Sequence, residues 1–143
     1  MFVTFITTTN PPDKVGKIFY NGNVLGNPTS TGGIEQPVWD GLNEKFYLAI
    51  PATVAHPNGE VDEIDPVSMT ITKEFPTTCG PAGLALIPSH HLMTSCGDVI
   101  NIATGAVVHT RGVGADEIWF KCGDERVYFG WYKRESTSPS SAP

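Results

Sequence analysis

The chain has 143 residues, a formal net charge of −6 and 40% hydrophobic residues. That apolar share is enough for the core of one domain and argues against global disorder. Asp+Glu outnumber Lys+Arg by 15 to 9 without a basic cluster, and apolar runs such as Leu84 to Ile87 fall far short of the roughly 20 residues of a bilayer-crossing helix. Neither nucleic acid nor a membrane is therefore expected as a partner.

The 15 Gly and 12 Pro punctuate short apolar segments instead of forming one tract, which marks many strands joined by turns. Residues 2–7 alternate with a period of two, and after the turn signal Asn10-Pro11-Pro12-Asp13 a second strand-like run covers 15–20. Residues 21–33 hold almost nothing that packs, which predicts an exposed loop. Three hairpin-like units follow: 37–39 turning into 46–50, 83–87 turning into 92–96, and 117–120 turning into 127–130. Trp39, Ala85 and Trp119 hold equivalent places in them, 46 and then 34 residues apart. Between the units lie further strand pairs, 60–65 with 69–75 and 98–103 with 107–111, turning near Asp65-Pro66 and Thr104-Gly105.

Four strands recurring about every 40 residues is the period of a β-propeller blade. A β-sandwich is the alternative, but it does not predict the recurring alternation of hairpins. The expected fold is all-β: a partial β-propeller of about three four-stranded blades over residues 1–134, with the loop at 21–33. Blades are expected at 34–76 and 81–111, the first half of another at 115–130, and two strands of a preceding one within 1–20. The Ser/Thr/Pro-rich residues 135–143 are expected to be a disordered tail. Trp39, Phe46, Tyr47, Trp119, Tyr128 and Phe129 are expected to pack between blades. Closed propellers have 4–8 blades, so a stack of three leaves two bare end faces. A homo-oligomer completing the ring, with Trp131 and Tyr132 covering an edge or a partner, is the expected remedy.

Met1 to Ile6 lack the basic and long apolar regions of a secretory signal, which points to the cytoplasm, or to secretion if a leader is missing. Three cysteines, Cys79, Cys96 and Cys122, are too few for a disulfide scaffold. His90 and His91 fall in a tight connection, His56 in the turn 55–59 and His109 in a strand, so no zinc centre is expected from their spacing. No nucleophile elbow, P-loop or dinucleotide fingerprint appears.

Carboxylates before strand starts carry the remaining chemistry. The segment Gly33-Ile34-Glu35-Gln36-Pro37-Val38-Trp39-Asp40 resembles the opening blade of the senescence-marker/gluconolactonase-like six-bladed propellers. Cys79-Gly80-Pro81-Ala82-Gly83-Leu84 and Gly114-Ala115-Asp116-Glu117-Ile118 resemble later strand starts of that family. There the Glu before Pro-Val-Trp points into the channel and ligates a divalent cation, usually calcium. The resemblance implies that Glu35 and Asp116 are metal ligands, that calcium is the cofactor, and that the cation polarises the carbonyl of a small lactone or ester substrate and activates water. Ala82 stands where the family has an Asn, and it cannot coordinate. The expected function is a gluconolactonase-like, divalent-metal-dependent hydrolase; the alternative is a non-catalytic, propeller-derived binding or structural module. The resemblance also implies a Cys79–Cys96 disulfide if the compartment is oxidising.

Overall fold

The computed structural model describes residues 1–24 and 26–130, and every regular element in them is a β-strand. The strands are β1 (Phe2–Ile6), β2 (Lys14–Phe19), β3 (Asn21–Val24), β4 (Asn27–Thr29), β5 (Pro37–Asp40), β6 (Lys45–Ile50) and β7 (Glu60–Asp65). They continue as β8 (Thr70–Pro76), β9 (Leu84–Ile87), β10 (His91–Thr94), β11 (Asp98–Asn101), β12 (Val107–Thr110), β13 (Glu117–Lys121) and β14 (Arg126–Gly130). The strands β5-β6-β7-β8 and β9-β10-β11-β12 form two four-stranded antiparallel meanders, and β1-β2, β3-β4 and β13-β14 are separate hairpins. The all-β expectation and the expected strand pairs hold. The tail at 135–143 and the residues Trp131 and Tyr132 lie outside the described residues.

Local chemistry explains the turns. Asp40 Oδ1 accepts the Leu42 N–H at 2.9 Å, Asp65 Oδ1 accepts the Val67 N–H at 2.7 Å, and Asn101 Oδ1 accepts the Ala103 N–H at 3.0 Å. Such side chains close a turn onto their own backbone. Pro37 opens β5 and Pro76 closes β8, both on sheet edges where a missing N–H costs no ladder bond.

Side chains that alternate along β6 and β7 feed two cores. Tyr47, Ala49, Val61 and Phe75 on one face pack with Leu84, Leu92, Ile100 and Ile102 of the second meander. Leu48, Ile50, Ile64 and Ile71 on the opposite face pack with Ile18 and Tyr20 at the end of the first hairpin. Each fully buried aliphatic or aromatic side chain contributes about 1.5–3 kcal/mol. A one-residue slip would exchange the two faces, which is why the register is firm.

The first strands of successive sheets are neighbours. The Gln36 N–H donates to Ala82 O at 3.1 Å, and the Leu84 N–H donates to Gln36 Oε1 at 3.3 Å. A Cβ on Gly83 would stand 2.8 Å from Glu117 Cα, so the start of β13 lies against the start of β9. Cys79 and Cys96 are disulfide-bonded, with Cα atoms 6.0 Å apart, and Cys122 is free and exposed.

Two expectations are corrected. Residues 21–33 are not an open loop, because 21–24 and 27–29 pair as the hairpin β3–β4 and Ser30 bridges to Thr53. Its bonds are backbone and amide bonds: Asn27 Oδ1 accepts the Gly22 N–H at 3.1 Å, and Thr29 Oγ1 donates to Gly22 O at 3.0 Å. Apolar patterning is blind to these. Tyr47 is buried between sheets as expected, but Trp39 and Trp119 remain 46% and 51% exposed, as does Tyr128 at 45%. Trp119 and Tyr128 oppose each other across β13–β14, on the face turned away from the buried Ile118.

Candidate functional site

The two carboxylates singled out by the sequence stand just before β5 and β13. Both are exposed. The Glu35 N–H donates to Ala49 O at 3.0 Å and the Asp116 N–H donates to Gly130 O at 3.1 Å, so their backbones are fixed. Because Gln36 bonds Ala82 and Leu84 while Gly83 abuts Glu117, the segments carrying Glu35, Ala82 and Asp116 follow one another along one rim. Glu35 also lines a pocket of about 410 Å³ whose walls are apolar, among them Val3, Phe5, Ile34, Phe46 and Leu48.

A second centre is buried. Glu60 and Asp62 are two residues apart on β7 and so share a face, and Asp62 is paired across the ladder with Glu74 on β8. Glu60 and Asp62 are fully buried and Glu74 partly so. The preceding loop shapes the site: Thr53 Oγ1 donates to Glu60 Oε2 at 3.1 Å and accepts the His56 N–H at 2.9 Å. His56 Nδ1 lies in direct contact with Glu60 Oε2. Gly59 adopts φ +93° with Ile50 O and Pro51 O each 2.8 Å from where a Cβ would stand, so only glycine lets the loop enter β7 there. From the other side, the Gly26 N–H of the β3–β4 hairpin donates to Glu74 Oε1 at 3.0 Å.

The hydrogen bonding of this centre is incomplete. Glu60 Oε1, both carboxylate oxygens of Asp62, and the Tyr20 hydroxyl are buried without a hydrogen-bond partner of good geometry among the described residues. Burial, with the Glu60 charge adding to it, pushes the Asp62 carboxyl up to about 8. Burial likewise raises Glu74, against the Gly26 N–H that favours its charged form. The Tyr20 hydroxyl is raised far beyond its ordinary value by burial and by the neighbouring Asp62 charge. Unpartnered buried carboxylates are costly, and they are tolerated by taking up a proton or a cation.

Among the described residues, His56, Glu60 and Glu74 are the one group of three or more His, Cys, Asp or Glu side chains whose ligand atoms all lie within 4.8 Å of one another. Glu35 and Asp116 do not belong to it. The sequence held one signal of this centre that patterning by apolar residues overlooks: Glu60-Val61-Asp62-Glu63-Ile64-Asp65 places carboxylates on both faces of a strand, so whichever face meets a core must bury some of them. Nothing local in the sequence joined Tyr20, His56 and Glu74 to that strand.

No protein-family model, curated protein or solved structure matches this chain.

Proposed function

We propose that this chain is a β-propeller-type binding module in which the rim formed by the starts of β5, β9 and β13 receives a small molecule. One observation carries this: the first strands of three successive sheets stand side by side, with Gln36 bonded to Ala82 and Leu84 and Gly83 lying against Glu117. That is the relation of inner strands around a propeller channel. The apolar pocket next to Glu35 supplies a concave surface with a polar group at its margin, as small-molecule sites do. Binding without catalysis is favoured because Ala82 interrupts the row between Glu35 and Asp116.

The gluconolactonase-like hydrolase is the second reading, favoured by the corresponding positions of Glu35 and Asp116 before β5 and β13. Calcium calorimetry on the wild type and on Glu35→Gln separates the two. A hydrolase of this type gives a stoichiometric heat that the substitution abolishes, together with calcium-dependent lactone hydrolysis. The binding module gives the same trace for both proteins. Ring completion by a second copy belongs to the same proposal, since among the described residues β1-β2 and β13-β14 are two-stranded and carry exposed Phe2, Phe19, Trp119 and Tyr128. Light scattering that finds a discrete species of twice 15.4 kDa supports it, and a well-folded monomer overturns it.

A further inference from the structure

We propose that His56, Glu60 and Glu74, with Asp62 beside them, bind one divalent first-row transition-metal ion, of the Zn²⁺ or Mn²⁺ kind, between β7, β8 and the N-terminal hairpins. This centre is separate from the rim at Glu35 and does not depend on it.

Three independent observations converge. The ligand atoms of His56, Glu60 and Glu74 are already gathered within 4.8 Å of one another. Asp62 shares their sheet face and is fully buried, and among the described residues both its oxygens and Glu60 Oε1 have no hydrogen-bond partner of good geometry. Three carboxylates in such a place repel one another strongly, and among the described residues His56 is the one basic side chain that pairs with any of them. A divalent ion would satisfy the orphaned Glu60 Oε1 and offset the charge around Asp62 at once, which a single imidazole cannot do.

The donor set selects the ion. Calcium and magnesium take oxygen ligands almost exclusively, whereas an imidazole nitrogen beside carboxylates suits zinc, manganese or cobalt. Entry is open because the His56 side chain is 29% exposed at the loop that leads into β7. The ion would tie together the loop around Thr53 and His56, the strand pair β7–β8, and through Glu74 the β3–β4 hairpin.

The test is thermal unfolding and calorimetry of the metal-stripped protein with Zn²⁺, Mn²⁺, Ca²⁺ or Mg²⁺ at equal concentration, and the visible spectrum of the Co²⁺ adduct. One ion of Zn²⁺ or Mn²⁺ per chain, raising the midpoint by on the order of 5 °C, is expected, with a smaller effect from Ca²⁺ and Mg²⁺. His56→Asn and Glu74→Gln should each weaken binding about tenfold or more and change the Co²⁺ bands. Both side chains are partly exposed, so folding of the variants is checked by circular dichroism and is expected to persist. His91→Asn, a substitution of an exposed imidazole bonded to Ser89 O, should change nothing. The proposal is overturned if no cation stabilises the wild type, if both substitutions leave binding intact, or if His91→Asn removes it equally.

Discussion

Glu63 and Asp62 are adjacent on β7, lie on opposite faces of the same central strand, and are both buried, yet their surroundings act on them in opposite directions. On the Glu63 face, Thr72 Oγ1 donates to Oε1 at 2.8 Å, while Lys73 Nζ at 2.9 Å and the Tyr47 hydroxyl at 3.2 Å donate to Oε2. Burial alone would raise its pKa, but those donors hold it below the ordinary glutamate value. On the other face the neighbouring Tyr20 hydroxyl only partly offsets burial and the Glu60 charge, which push Asp62 up. Burial by itself therefore decides little; the donors that accompany it decide whether a carboxylate supports the fold or strains it.

The largest effect expected is on the scaffold that both faces share. Reducing Cys79–Cys96, which are 17 residues apart, should cost about 3 kcal/mol of stability. Urea unfolding with and without reductant measures it, and the relative behaviour of the two faces should survive the loss. Thiol titration of the denatured, unreduced protein should find one reactive group, Cys122.

Next in size is Glu63→Ala. It leaves the buried Tyr47 hydroxyl without the acceptor it donates to and should destabilise by about 2 kcal/mol at pH 7. Asp62→Asn should do the reverse in the metal-free protein, stabilising it by about 1 kcal/mol, because it removes a carboxyl that folding forces to take up a proton. Equal losses from both substitutions would break the contrast between the faces.

The subtlest effect is on pH dependence. Asp62 has a folded pKa above its unfolded value of about 3.9, so its contribution to stability is full below that value and is lost as pH rises toward about 8. Glu63 has a lowered folded pKa, so its contribution is full above about 4.3 and is lost on acidification. Urea midpoints of the metal-free protein between pH 4 and 8 should fall with rising pH, and the slope should flatten in Asp62→Asn. A slope unchanged by that substitution would show that Asp62 titrates alike in both states.

Much of this architecture is legible in short stretches of sequence. The apolar run 46–50, the Asx turns at Asp40, Asp65 and Asn101, and the prolines at sheet edges act within a few residues, so composition and turn signals suffice to place the strands of both meanders. The β3–β4 hairpin escaped because it is held by amides and hydroxyls in a segment without apolar alternation. The exposure of Trp39 and Trp119 escaped because an aromatic in a repeat position packs only where another sheet covers it.

The buried carboxylate centre lies at the far end of that scale. Sequence alone determines that both faces of β7 carry acidic side chains, so whichever face packs on a core must bury some of them. Which of those side chains acquire donors is a tertiary matter: Glu63 meets Lys73 and Thr72 from β8 and Tyr47 from β6, whereas Glu60 and Asp62 meet a loop histidine, a second carboxylate and the hydroxyl of Tyr20. Tyr20, His56 and Glu74 come from three distant segments, and they share one face only because the sheet and the first hairpin close on each other through Ile18, Leu48, Ile50 and Ile64. Electrostatic environment depends on distance in space, and no local pattern encodes that distance.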